Sequence, residues 1–278
     1  MRLPSAVSAL AAAARHRVVC IGLLMMLALP GCDASDTRTA SDDPTPLLIY
    51  CGVTMLHPIR AIAEVFEAET GVPVVISQGA SADLYRSLET ARLGDMYFPG
   101  SLSYRIDNLH AGLLGEGAHV GYNVAALLVR AGNPKRIPAS LAALTDPALA
   151  VVVANPDSGS IGRETRRILR LAGLYDAVLR NTVLMATDSR NLNQALLDGS
   201  ADVVLNWRAT GRFPENQPHV EVLDIDPALA ARKKLVINLL TFSQQPALAR
   251  RFMKMATSPR GQAIFRDAGF IDARGRTG

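Results

Sequence analysis

Several residue types are scarce in this chain. Its 278 residues include three cysteines and one tryptophan, with 5% aromatic and 19% charged residues. The formal charge of +4 is small and its basic residues are scattered. No Lys/Arg run is interleaved with aromatics in the way that tracks a phosphate backbone, which argues against nucleic acid as a partner. His/Cys/Asp/Glu groups at recognised metal-ligand spacing are missing. The nearest approach to a hydrolase motif is Ser158-Gly159-Ser160-Ile161-Gly162, where serine stands in place of the first glycine of a nucleophile elbow. His57, His110, His119 and His219 lack neighbours that would mark a general base. Neither an enzymatic activity nor a cofactor is expected. Apolar residues, in contrast, make up 49% of the chain, enough for one large core or two modest ones.

At the N-terminus, Arg2, Arg15 and Arg17 precede the apolar run "VVCIGLLMMLALPGC", a pattern of basic region and short hydrophobic region that reads as an export signal. Leu29-Pro30-Gly31-Cys32 resembles the lipobox of bacterial lipoproteins. That resemblance implies removal of residues 1–31 and lipid on Cys32, with Asp33 favouring retention at the inner membrane. A conventional signal peptide cut nearby would instead leave Cys32 as a spare thiol. Residues 32–46 would carry the anchor and a polar, acidic, proline-terminated tether. The mature protein is thus expected in the periplasm, held to the cell membrane. With Cys20 in the signal and Cys32 lipidated, Cys51 has no disulfide partner in an oxidising compartment, so it is either buried or functional.

From residue 47 onward, short apolar runs alternate with helical spacing. "LLIYC", "VPVVIS", "GDMYF", "NVAALLVR", "LAVVVAN", "TVLMAT", "ADVVLNW", "HVEVLDI" and "KLVINLLTF" read as strands. Between many of them lie helices: "HPIRAIAEVFEAETG" puts Ile59, Ile62, Ala63 and Phe66 on one face, and "SADLYRSLETARLG" runs from Ser81 as N-cap to Gly94. Alternating strands and helices predict an α/β fold with mainly parallel, doubly wound sheets. Ligands of such folds gather where a strand ends and a helix begins. Four such turns, 51–55, 77–83, 155–162 and 187–193, offer hydroxyls, small residues or amides, and none offers a lysine. Each alone is an ordinary helix cap. Converging, they would hold a fully ionised oxyanion with neutral donors and helix dipoles.

The order of these segments, with "GVPVVIS", a Gly-Ala-Ser turn, "LGDMYFPGS", "VVVANPDSGSIGRETRRIL", "ATDSRNLNQALLDGSADVVLNW" and "SPRGQAIFRDAGF", resembles the molybdate-binding proteins of ABC importers and the wider type II periplasmic solute-binding proteins, across about 47–270. The resemblance implies two α/β lobes around a ligand cleft, one of residues 47–122 plus 238–278 and the other of 123–237, with crossings near Asn123 and Asn238. It implies ligand hydroxyls at Thr54 and Ser81, backbone donors around Ser160 and Ile161, a further donor at Ser189, and Asn206 where the molybdate proteins commonly have tyrosine. It also implies a monomer that captures a small oxyanion, molybdate or tungstate in type, for an ABC permease in the inner membrane; the same fold could instead report to a membrane sensor kinase.

A protonated oxyanion needs a carboxylate acceptor, and Asp83, Asp157 and Asp188 lie near enough to the turns to supply one or to serve only as helix-start charges. Arg190 and Arg208 are either bidentate anion contacts or surface charges. Cys51, with Met55 and His57, raises a rival ligand, a soft metal or arsenite-like metalloid, against the reading of a small buried hydrophobe.

Overall fold

The computed structural model describes residues 44–278; the export signal, Cys32 and most of the tether lie outside the described residues. Residues 43–278 form one compact unit. The chain runs β1 (Leu47–Gly52), α1 (Leu56–Thr70), β2 (Val74–Gly79), α2 (Ser81–Ala91), β3 (Met96–Phe98), α3 (Ser103–Asn108) and β4 (Leu114–Asn123). It continues through β5 (Ala125–Arg130), β6 (Val151–Ala154), α4 (Ser160–Leu171), α5 (Tyr175–Asn181), β7 (Thr182–Ala186), α6 (Ser189–Leu197), β8 (Val203–Trp207) and β9 (Val220–Leu223). It ends with β10 (Lys233–Leu240), α7 (Pro246–Thr257), α8 (Pro259–Asp267) and β11 (Ile271–Asp272).

These strands make two sheets. One has the order β11-β4-β10-β3-β1-β2 and the other β7-β6-β8-β5-β9. Each has a parallel centre, β2-β1-β3 or β7-β6-β8, extended by antiparallel neighbours. Three strands of each sheet therefore follow the parallel pattern. The inner ones, β1, β6 and β8, are buried on both faces and read as continuous apolar runs, whereas the edge strands β2 and β7 expose Val75, Val183, Leu184 and Met185. The five-stranded sheet has its own core around Leu127, Val152, Val204 and Leu196. On the six-stranded sheet, Ile59, Ile62 and Phe66 of α1 meet Phe252 and Phe265, and Leu84, Leu88 and Tyr97 fill a smaller cluster with Tyr104.

The chain changes sheet at Val124, between the last residue of β4 and the first of β5. It returns within residues 224–232. Asn238, expected near the second crossing, lies fully buried within β10, where its amide donates to Tyr97 O (3.0 Å) and accepts from Arg105 (2.6 Å). A charge cluster fixes the return: buried Glu164 of α4 holds Arg167 in a forked pair (2.7 to 3.1 Å) and Lys233 at 3.1 Å. The strand β4 has no counterpart among the sequence-predicted strands. Its Gly115, Gly117 and Gly121 dilute the β signal, and Gly121 is required because a Cβ there would lie 2.4 Å from Ile271 O. The second helix also differs at both ends: Ala80 is its N-cap, and the chain turns out at Arg92 (φ 51°) before Gly94 is reached.

The C-terminal segment is stapled by Asp272. Its carboxylate, wholly buried, accepts from the guanidinium groups of Arg266 and Arg276 (2.8 Å each) and from the backbone N–H groups of Arg274 (2.9 Å) and Arg276 (2.8 Å). Burial pushes its pKa up, but these four donors outweigh burial and hold it at about 2. Because this lies below the ordinary carboxylate value, the stabilisation is complete above about pH 4 and is lost as pH falls towards 2. Asp272→Asn is therefore expected to lower unfolding free energy by about 2 kcal/mol in urea titrations at pH 7, with the gap to wild type closing as pH approaches 2.

Candidate functional site

Four strand-to-helix turns meet between the two sheets. Thr54 sits in a single helical turn, Val53–Met55, that joins β1 to α1. The start of α2 lies beside it, after the neighbouring strand β2, and the starts of α4 and α6 lie opposite, so that Thr54, Ser81, Ser160, Ile161, Asp188 and Ser189 line one recess with Gly100. All five of Thr54, Ser81, Ser160, Ile161 and Ser189 are buried. No lysine or arginine lines this recess, and Asp188 supplies its one formal charge.

The hydroxyls are oriented by their own partners. The Trp207 indole N–H donates to Ser160 Oγ at 3.2 Å, and Gly100 N–H donates to Ser81 Oγ at 3.1 Å. Each oxygen then has its own proton left to give. Thr54 Oγ1 donates to Ser189 Oγ at 3.1 Å, which leaves the Ser189 proton free in the same way. Tyr97 OH donates to Ser81 O at 2.8 Å and fixes the start of α2. Neither α2 nor α4 has a side-chain cap. Apart from Ala82 N–H, which donates to Ser158 O, their first-turn N–H groups have no side-chain cap, and the positive ends of both dipoles lie at the recess. Such a set offers donors and partial positive charge, the chemistry of an anion site.

Not every expected residue takes part. Asn206 is wholly buried and spends both amide hydrogens on Ser189 O (2.9 Å) and Asn193 Oδ1 (2.8 Å), while its oxygen accepts from Trp207 N–H (2.8 Å). It braces α6 and is not a lining residue. Asp188 caps α6, accepting from the N–H groups of Arg190 (2.8 Å) and Asn191 (3.1 Å). Arg190 reaches across the cleft to Gln78 Oε1 at 2.6 Å, whereas Arg208 pairs with Asp224 at 2.8 Å, outside the recess. Asp83 pairs with Arg86 on the surface, and Asp157 lies 3.5 Å from Arg166. Trp207, which orients Ser160, was not foreseen as a site residue. The signal for it was its step of one from Asn206 on a strand, which turns it to the opposite face.

Cys51 is wholly buried in the core that also contains Met55 and Met96, and its thiol donates a weak hydrogen bond to Gly52 O at 3.5 Å. Burial pushes its pKa upward, so the reactive thiolate is suppressed. His57 is engaged elsewhere, bonded to Glu215 at 2.9 Å. Among the described residues no three metal-ligating side chains cluster. The soft-metal reading therefore has no structural support.

Several interactions span the cleft. Besides Thr54–Ser189 and Arg190–Gln78, Ala82 N–H donates to Ser158 O (3.1 Å), and Arg163 pairs with Asp107 (2.6 Å) while lying 4.0 Å over the Tyr104 ring. A Cβ on Gly100 would come within 2.2 Å of Ser160 Oγ. The two lobes are shut. The recess between them measures about 10 Å³, room for about one water. On its Ser160 side it adjoins a wide cleft of about 690 Å³ lined by Arg163, Arg166, Arg167, Arg232, Lys233 and Lys234 against three acidic residues.

The sequence pattern that defines a family described as bacterial extracellular solute-binding protein matches residues 47–271. The chain belongs to that family. It is 27% identical over 277 aligned residues to the molybdate-binding protein ModA of Mycobacterium bovis, covering 90% of this chain and 95% of that one. Its fold is shared with the sulfate-binding protein SubI of Mycobacterium tuberculosis (TM-score 0.73, 19% identity, 82% of this chain and 87% of that one). The periplasmic molybdate-binding protein of Azotobacter vinelandii has it too (TM-score 0.66, 18% identity, 81% and 98%). The family is one of binding proteins that act outside the cytoplasm.

For Cys51, the expected behaviour in the 43–278 unit is resistance to thiol reagents until the protein unfolds. Cys51→Ser is expected to cost about 1–3 kcal/mol in stability, since it buries a hydroxyl in an apolar core. Rapid labelling of the folded protein would contradict the burial.

Proposed function

We propose that this protein captures a small tetrahedral oxyanion in the periplasm and presents it to the permease of an ABC importer, tethered to the membrane through lipid on Cys32. One observation carries the reading: uncapped helix starts and oriented hydroxyls converge on a recess without lysine or arginine. Neutral donors of this kind suit an anion with no proton of its own, and the molybdate-binding relatives make molybdate and tungstate the first ions to try. Thr54, Ser81, Ser160, Ile161 and Ser189 are the proposed contacts. Because Thr54 and Ser189 bond to each other across the shut cleft, the anion must enter an opened form and replace that bond with its own, which shifts the open–closed equilibrium.

Thermal-shift measurements with molybdate, tungstate, sulfate and phosphate, followed by calorimetry, test this directly, because a ligand selective for the folded state raises its melting temperature. Ser160→Ala and Thr54→Ala are each expected to weaken the stabilising anion by about tenfold or more, the loss of a hydrogen bond to a charged group. No shift with any anion would defeat the reading.

The recess contains no cation of its own, so the long-range attraction for an anion must come from the adjoining basic cleft. There, Arg232 and Lys234 make no ion pair among the described residues. Replacing both with glutamate is expected to slow association about tenfold at low salt and leave dissociation unchanged, with the difference vanishing by about 1 M salt in stopped-flow measurements.

A further inference from the structure

The hydrogen bond between Thr54 and Ser189 has a second side. Opposite the recess, and meeting it at Val53, Thr54 and Ser189, is a chamber of about 290 Å³ between the start of α1, the exposed face of α6 and residues 210–216. That volume is at the lower end of small-molecule pockets. A bare tetrahedral ion would have no use for it.

Leu56, Leu197 and Phe213 supply apolar surface to its lining, Asn193, Gln194 and Asn216 supply amides, and Arg190, held by Gln78, adds a cation. Two of the amides are held in place: Asn216 donates to Thr210 O at 2.8 Å, and Asn193 accepts from Asn206 at 2.8 Å. The His57–Glu215 pair, at 2.9 Å, also lines the chamber, and the His57 ring lies 4.5 Å from that of Phe213. Mixed apolar and amide walls of this kind fit a short organic group that carries a hydroxyl or amino function.

We propose that the ligand is a monosubstituted tetrahedral oxyanion, a phosphonate, phosphate monoester or sulfonate, whose head occupies the recess and whose tail of a few carbons occupies the chamber. This rests on the oxyanion reading of the recess. When Thr54 and Ser189 turn their hydroxyls to the head, the bond that separates the two spaces is broken and they become continuous. The basic cleft on the Ser160 side remains the open approach, and the chamber on the Thr54 side receives the part of the ligand that tells one oxyanion from another. Asn193 thereby has a positioning role: it ties the chamber wall, through Asn206, to Ser189 of the recess.

The test is calorimetry on the full chain in mild detergent at pH 8, comparing each inorganic ion with organic forms of the same head. Phosphate is set against methyl-, ethyl-, propyl- and 2-hydroxyethylphosphonate and a short phosphate monoester, sulfate against ethanesulfonate, and molybdate stands alone. Within at least one head group, the substituted forms are expected to bind at least tenfold tighter than the inorganic ion. Leu197→Trp, placed to fill the chamber, is expected to weaken the organic ligand at least tenfold and leave the inorganic ion unchanged. Gln194→Trp, at an exposed position on the same wall, does the same should the first variant fold poorly. Inorganic ions that bind as tightly as every organic form, or a filling variant that weakens both kinds equally, would overturn the chamber's role while leaving the oxyanion site standing. Binding of neither kind would overturn both.

Discussion

The hydroxyls of the recess are aimed before any ligand arrives, and in this protein the aiming is done by hydrogen bonds that end on oxygen. Serine hydroxyls rotate freely and can present either a lone pair or a proton. The Trp207 indole and the Gly100 amide each occupy a lone pair, at Ser160 and Ser81, and so leave the proton facing the recess. Without those donors the same serines would be as ready to repel an anion as to hold it. The fold supplies the remainder by ending three strands where three helices begin, and by leaving two of those helices without side-chain caps. The missing side-chain cap is a local loss of about 1 kcal/mol at Ala80 and of about a few tenths at Gly159.

The two crossings between sheets are not built alike. At Val124 the chain passes over in one residue, and the carbonyl of Val124 takes the N–H of Arg208 at 2.8 Å. The return is longer and is gripped by Glu164, whose buried carboxylate holds both Arg167 and Lys233. Such a group costs several kcal/mol if one partner is removed, so this crossing resists being pulled apart.

Much of this architecture was legible in the sequence, and the reason lies in burial. Strands such as "LAVVVAN" and "ADVVLNW" occupy sheet centres where both faces must be apolar, so their composition alone marks them. The strand β4 was hidden because its glycines serve backbone clearance, as at Gly121 beside Ile271, and carry no hydrophobic pattern. Thr54, Ser81, Ser160, Ile161 and Ser189 could be singled out because a helix start is a chemical feature as well as a structural one, and the fold brings them to one recess. Asn206 was expected to contact the anion, but its amide is engaged by Ser189 and Asn193, a pairing visible only in the fold, while its neighbour Trp207 orients Ser160. Arg190 and Arg208 were ambiguous for another reason: a long flexible cation reveals its partner only when Gln78 and Asp224 are brought near by the fold.

Gly100 sets how far the cleft can shut. With only a hydrogen where a side chain would begin, its backbone comes close enough to Ser160 Oγ that one added carbon would overlap it. The lobes can come this close only because position 100 carries no side chain. Any other residue there would hold Ser160 back and widen the recess, so the tightness of the shut cleft rests on a single backbone position.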